Sequence, residues 1–212
     1  MVIVAPYSST LIERHGSRNT LLLGFIVCMA GFSVMLFGWN IHTPMGIVIL
    51  SYVLIGIGVG FAGTPASHAL TDSVPVTKVG MASGTSDLQR DLGGSIFQAI
   101  LGTFLTLGYA AAFAKQVTAS PEASQVSAAT QSELASSYAG ATKVSEQFPQ
   151  YQSAIISAAQ ESFLQGAGWA FAAGALFIVI GALLVFFAYP SKQNAIDLFA
   201  EYQKEDANVT AE

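Results

Sequence analysis

Residues 19–71 read NTLLLGFIVCMAGFSVMLFGWNIHTPMGIVILSYVLIGIGVGFAGTPASHALT, 53 residues without one Asp, Glu, Lys or Arg. As a single helix this run would reach roughly 80 Å at about 1.5 Å per residue, against about 30 Å of bilayer hydrocarbon. It must therefore fold back once. Asn40-Ile41-His42-Thr43-Pro44 supplies the polar groups and the helix-breaking proline for that reversal. The first span is then expected over residues 20–39, ending on Trp39, a side chain suited to the interfacial aromatic belt. The second is expected over residues 45–66.

The rest of the chain agrees with this reading. Of 212 residues, 52% are hydrophobic and 10% charged, and the mean hydropathy is +0.55. Soluble domains carry about 25% charged residues, so too little charge remains here to cover a water-facing surface. Disorder fails for the opposite reason, an excess of apolar side chains. The one cysteine, Cys28, excludes an internal disulfide, a Cys-rich zinc site and a CxxC redox pair. A net charge of −5 with eight Lys and Arg argues against a nucleic-acid partner. The partner left is the lipid bilayer.

Two more charge-free stretches, residues 92–114 and 162–190, each suit one crossing. None of the four shows the period-two alternation of a membrane β-strand. The expected fold is an all-α membrane protein with four transmembrane helices. Residues 1–19 read as the end of a preceding helix followed by a loop, and residues 191–212 as a polar tail. A signal peptide fits poorly, because no basic segment precedes the first apolar residues. If the loop before the first span is cytoplasmic, that side collects Arg14, Arg18, Lys78, Arg90, Lys192 and Lys204, and the other side only Lys115 and Lys143. By the positive-inside rule both termini are cytoplasmic and residues 115–161 are external. That external loop is rich in Ala, Ser and Gln, and residues 153–164 have the composition of a helix leading into the last span.

The segment Ser9-Thr10-Leu11-Ile12-Glu13-Arg14-His15-Gly16-Ser17-Arg18 reads as a tight reversal between spans. Gly16 can adopt a positive φ without steric cost, Glu13 and Arg14 place opposite charges beside it, and Arg18 can anchor the next helix at the interface. A generic positive-inside loop is the plainer reading of the same residues. The segment resembles the cytoplasmic loop motif of the major facilitator superfamily, with Leu11, Arg14, Gly16, Arg18 and Leu21 matching. Glu13 stands where an aspartate is usual, Ser9 replaces a glycine, and Ser17 replaces a basic residue. The resemblance implies that Glu13, Arg14, Gly16 and Arg18 help to set the balance between inward-open and outward-open states.

A second segment is similar to the entry to the penultimate helix of the fourteen-span drug:proton antiporters of that superfamily. It runs Val79-Gly80-Met81-Ala82-Ser83-Gly84, then Arg90-Asp91-Leu92-Gly93-Gly94-Ser95-Ile96, then Ala99-Ile100-Leu101-Gly102. Asp87, Arg90 and Asp91 lie three and four residues apart there, so they form a charge cluster on one helix face. Fixing the helix mouth is the structural reading of that cluster, and proton binding the functional one.

Small residues recur at helix-packing spacing: Gly56 and Gly60 form a GxxxG pair, and Gly166, Ala170 and Gly174 repeat it in the last span. Gln98, on a face with Gly94, Gly102, Thr106 and Ala110, would be costly against lipid, so it should face protein or a wet cavity. His68 and Asp72 lie one turn apart at the end of the second span, where solvation or proton relay are the two readings. Gln98 and His68 are thus the candidates for lining a substrate path. No acidic residue lies inside any expected span, so the carboxylate that proton coupling normally needs is absent from them. No phosphate-binding glycine loop, HExxH pair or serine-nucleophile motif occurs, so neither enzymatic activity, a cofactor nor a metal is expected. The sequon Asn208-Val209-Thr210 falls on the cytoplasmic side and is discounted.

The resemblance implies a carboxy-terminal portion of a plasma-membrane, proton-coupled multidrug exporter, its four helices being spans eleven to fourteen. Partners implied are the missing N-terminal helices, protons, and small hydrophobic or cationic drug-like substrates. Such a portion should be inactive alone. A free-standing four-helix accessory or interaction protein is the alternative.

Overall fold

In the computed structural model, residues 5–71, 74, 78–120 and 126–190 are described, with the side chains of residues 5 and 68–71 left aside. Seven α-helices form these residues: α1 Ala5–His15, α2 Ser17–Gly38, α3 Met45–Thr71, α4 Val79–Ala119, α5 Ala128–Ser136, α6 Tyr138–Gln147 and α7 Gln152–Ala188. A 3₁₀ turn, Pro149–Tyr151, leads into α7. Helices α2, α3, α4 and α7 are long and apolar enough to cross a bilayer. The chain is thus an all-α, multi-pass membrane protein.

The segment before α2 differs from the expected loop. It is helical through His15, and the reversal is compressed into Gly16, whose φ is 84°. The Gly16 N–H bonds back to the Ile12 carbonyl at 2.8 Å, closing α1 in a left-handed glycine cap. Arg14 and His15 occupy the last turn of α1, where cations meet the negative end of the helix dipole. At the other end of α2, Asn40 and Thr43 organise the turn. The Asn40 carboxamide oxygen accepts from His42 N–H at 2.9 Å, and the Thr43 hydroxyl donates to the Gly38 carbonyl at 2.9 Å. These bonds satisfy backbone groups that the helix ends leave open.

The described residues group into two compact units. The first draws on Met1–Phe32, Ile49–Ile96 and Leu176–Glu212. In it α2 and α3 approach closely through small residues. A β-carbon added to Gly24 would lie 2.8 Å from Ala62 N and Gly58 O, one on Gly31 would lie 2.7 Å from the Ile55 side chain, and one on Gly58 would lie 2.7 Å from Cys28 N. On α3 Gly58 therefore sits in tight contact with α2, and Gly60 is buried as well. Gly56, expected from the GxxxG spacing, has open space where a β-carbon would go. Pro65, buried inside α3, has no N–H to give the Phe61 carbonyl one turn back. The buried Ser8 hydroxyl of α1 donates to that carbonyl instead, at 3.4 Å. A backbone acceptor freed at membrane depth is thereby satisfied.

The second unit draws on Ser33–Val48 and Phe97–Ala175. Here α4 and α7 meet at Gly108 and Gly166, where a β-carbon on Gly108 would stand 2.7 Å from the Gly166 Cα. The expected loop over 115–161 is largely helical: α4 extends to Ala119, α7 begins at Gln152, and α5 and α6 lie between. At about 1.5 Å per residue, the 41 residues of α4 and the 37 of α7 reach roughly 61 and 55 Å, about twice the hydrocarbon thickness. These helices begin and end on local backbone preference and capping, which do not stop where hydropathy stops. Ser127 and Ser137 cap α5 and α6, accepting from Thr130 and Gly140 N–H. Leu134, Ala141 and Val144 from the two short helices join Tyr109, Phe113 and Ala159 in one apolar cluster. Its one polar atom, the Tyr109 hydroxyl, donates to the Leu134 carbonyl at 2.9 Å.

Candidate functional site

In the first unit, the α1–α2 junction and the end of α7 bring together residues far apart in sequence. Arg18, in the first turn of α2, donates from Nη2 to the Phe186 carbonyl, and its guanidinium carbon lies 5.0 Å from the centre of the Phe186 ring. Phe186 belongs to the last turn of α7, whose carbonyls have no partner within the helix. A cation there satisfies an orphan acceptor, opposes the dipole and stacks on an aromatic face. Phe25, two turns along α2, contacts Gly181 of α7 on the same side, 3.5 Å from where a β-carbon would sit. The Thr20 hydroxyl, fully buried, bonds to the Gly16 carbonyl at 3.0 Å and holds the start of α2 against the turn. The structure thus joins Arg18 to the end of α7, while Gly16 bonds locally to Ile12 and Thr20. Glu13 and Arg14 lie on the exposed side of α1, each engaged in an interaction of its own.

The helix-mouth cluster sits on α4. Arg90 Nη1 and Asp87 Oδ1 are 3.6 Å apart, with side chains 64% and 68% exposed, so in water the pair would be worth well under about 1 kcal/mol. Asp91, the third member, is exposed too. Along this helix the hydroxyls of Thr85, Ser95, Thr103 and Thr106 all bond to carbonyls four residues back, at 2.8–2.9 Å. Such back-bonding leaves the face smooth and largely without free donors. Gln98 is exposed on the same helix, and Gly94 and Gly102 beside it have open space at their β-carbon positions. His68 falls within α3, but its side chain and all of Asp72 lie outside the described residues. No group of three or more His, Cys, Asp or Glu that could hold a metal ion occurs among the described residues.

Among the described residues the second unit holds two cavities of note, and Gln98 lines neither. One, of about 440 Å³, lies between the α2–α3 turn and the start of α7, with Asn40, Tyr138 and Gln160 at its edge. The other, of about 670 Å³, lies beneath the cap formed by α5, α6 and the 3₁₀ turn. Sequence reasoning did not reach this second cavity. Its signals are the Ser127 and Ser137 caps, which mark two short helices where residues 115–161 read as a loop.

The sequence profile of the Major Facilitator Superfamily matches residues 1–116. The chain is 33% identical over 105 residues to the multidrug resistance protein Stp of Mycobacterium tuberculosis, a stretch covering 50% of this chain and 19% of that protein. It is 31% identical over 106 residues to the colistin resistance protein EmrB of Acinetobacter baumannii, covering 50% of this chain and 20% of the relative. Similarity to the tetracenomycin C resistance and export protein of Streptomyces glaucescens runs further, 26% identity over 195 residues, or 88% of this chain and 35% of that one. The chain therefore spans about a third or less of these relatives' lengths. No solved structure matches it.

Proposed function

Because the chain belongs to the Major Facilitator Superfamily, a family of membrane transporters and not of enzymes, we propose that it is the carboxy-terminal part of a proton-coupled multidrug exporter. The observation that carries this reading is the alignment with the tetracenomycin C resistance and export protein, which continues over 88% of the chain. On this reading α2, α3, α4 and α7 are the last four of fourteen spans. Substrate sits between two helix bundles that rock about it, so that the site opens to each side in turn. The preceding helices supply the other bundle and the coupling carboxylates. Small hydrophobic or cationic drug-like molecules are the cargo, and protons drive the exchange.

The roles of individual residues follow from the same reading. Glu13, Arg14, Gly16 and Arg18 bias the two states, with Arg18 acting through its hold on Phe186. Asp87, Arg90 and Asp91 fix the mouth of α4, and Gln98 and His68 face the substrate path in the assembled transporter. The protein resides in the plasma membrane with both termini in the cytoplasm, as its six-to-two distribution of basic residues supports. The test is reconstitution into proteoliposomes under an imposed pH gradient, with ethidium as the fluorescent cargo. This chain alone should move no dye, whereas the same chain fused behind the preceding helices of the tetracenomycin exporter should expel it. Gradient-driven efflux by the chain alone would overturn the reading.

A further inference from the structure

Beneath the cap over the ends of α4 and α7 lies a cavity whose rim, at Phe148, Gln150 and Tyr151, is exposed. This cavity measures about 670 Å³, inside the range of roughly 300–1,000 Å³ typical of small-molecule sites. The space does not come from a loosely tethered cap. The Tyr109 hydroxyl ties α5 down through the Leu134 carbonyl, both short helices carry serine caps, and Val144 and Ala141 are buried against the long helices. A cavity held open by a braced frame is preorganised for an occupant.

The lining defines the occupant's chemistry. Phe113, Val144 and Ile155 give an apolar floor, while Gln116, Thr130 and Gln150 place amide and hydroxyl groups around it. Gln116 is oriented by its bond to the buried Ser162 hydroxyl, at 3.3 Å. No Asp, Glu, Lys, Arg or His lines the cavity among the described residues. Of the cap's three charged residues, Glu133 and Lys143 face each other at 4.0 Å with both side chains exposed, and Glu146 is exposed as well. Among the described lining residues a charged guest would find no opposite charge to offset its desolvation, whereas a neutral guest would lose only water that an apolar floor binds poorly.

We propose that the cavity beneath the α5–α6 cap binds a neutral, drug-sized molecule with an apolar body and a few hydrogen-bonding groups, at a site separate from any path between helix bundles. The site belongs to the second unit alone and does not depend on the transport reading.

The experiment is photolabelling of the full chain in lipid nanodiscs with 4-(hydroxymethyl)benzophenone, followed by peptide mass mapping. A trimethylammonium benzophenone of similar size serves as the charged comparison. The neutral probe should give saturable adducts within residues 113–117 and 144–158. Ala154→Trp, which fills the cavity from an exposed position, should lower these adducts about tenfold, as should the cationic probe, a difference of about 1.4 kcal/mol in binding. Gln150→Ala removes a rim amide from another exposed position and should also weaken labelling without touching the packed floor. Ala172→Trp, on an exposed position of α7 away from the cavity, should leave it unchanged. The proposal is overturned by non-saturable labelling spread over the outer faces of α4 and α7. Equal labelling by both probes, or labelling indifferent to both cavity variants, overturns it as well. A dye-transport result of either sign leaves these outcomes unaffected, so the two readings fail separately.

Discussion

Gly56 and Gly58 sit two residues apart on α3 and meet opposite surroundings. A methyl group on Gly58 would strike the Cys28 backbone at 2.7 Å, while one on Gly56 meets nothing within 4 Å. Gly58→Ala should therefore destabilise the α2–α3 pair by about 1–3 kcal/mol, the cost of forcing volume into a closed contact. Gly56→Ala should be neutral or slightly stabilising, since alanine is the better helix former. Thermal unfolding of the two variants in detergent, followed by circular dichroism, separates them. The sequence holds both phases, Gly56 with Gly60 and Gly58 with Ala62, and spacing within one helix cannot say which phase faces a neighbour. Only Gly24 and Cys28 on α2 decide it. Gly16 was legible for a different reason: a backbone reversal between two helices needs a residue that tolerates positive φ, and that demand is local.

At the scale of the element, the four apolar helices could be read because hydrocarbon imposes a length and a composition on each of them. Their true ends could not. The charge-free stretch of α4 begins at Leu92, just after Asp87, Arg90 and Asp91, yet its backbone is helical from Val79. Helices α5 and α6 were still less legible. They are only 9 and 10 residues long, too short to be stable on their own, and they persist through contacts with residues distant in sequence, such as Tyr109 with Leu134. This makes the cap sensitive to a single oxygen atom. Tyr109→Phe keeps the ring in the cluster but removes the donor to the Leu134 carbonyl, at a cost of about 1 kcal/mol. Limited proteolysis in nanodiscs should then cut within residues 126–151 faster than in the parent, with the long helices unaffected.

For the whole molecule, the fold class followed from one fact, the near absence of charge over long stretches, and the family from short motifs around Gly16 and Gly93-Gly94. Which side of the membrane each end occupies is a matter of basic-residue counts and is tested directly by chemistry. Glu146 and Glu13 are both exposed, and the native Cys28 is buried. In intact cells, Glu146→Cys should react with a membrane-impermeant maleimide, and Glu13→Cys only after permeabilisation. The reverse pattern would invert the proposed topology. Arg18 and the Phe186 carbonyl stand 168 residues apart in the chain. A ribosome making this polypeptide therefore delivers the arginine long before its acceptor exists. During synthesis the turn at Gly16 can close on its own local bonds, but the Arg18 clamp forms only after α7 has been made and threaded into place.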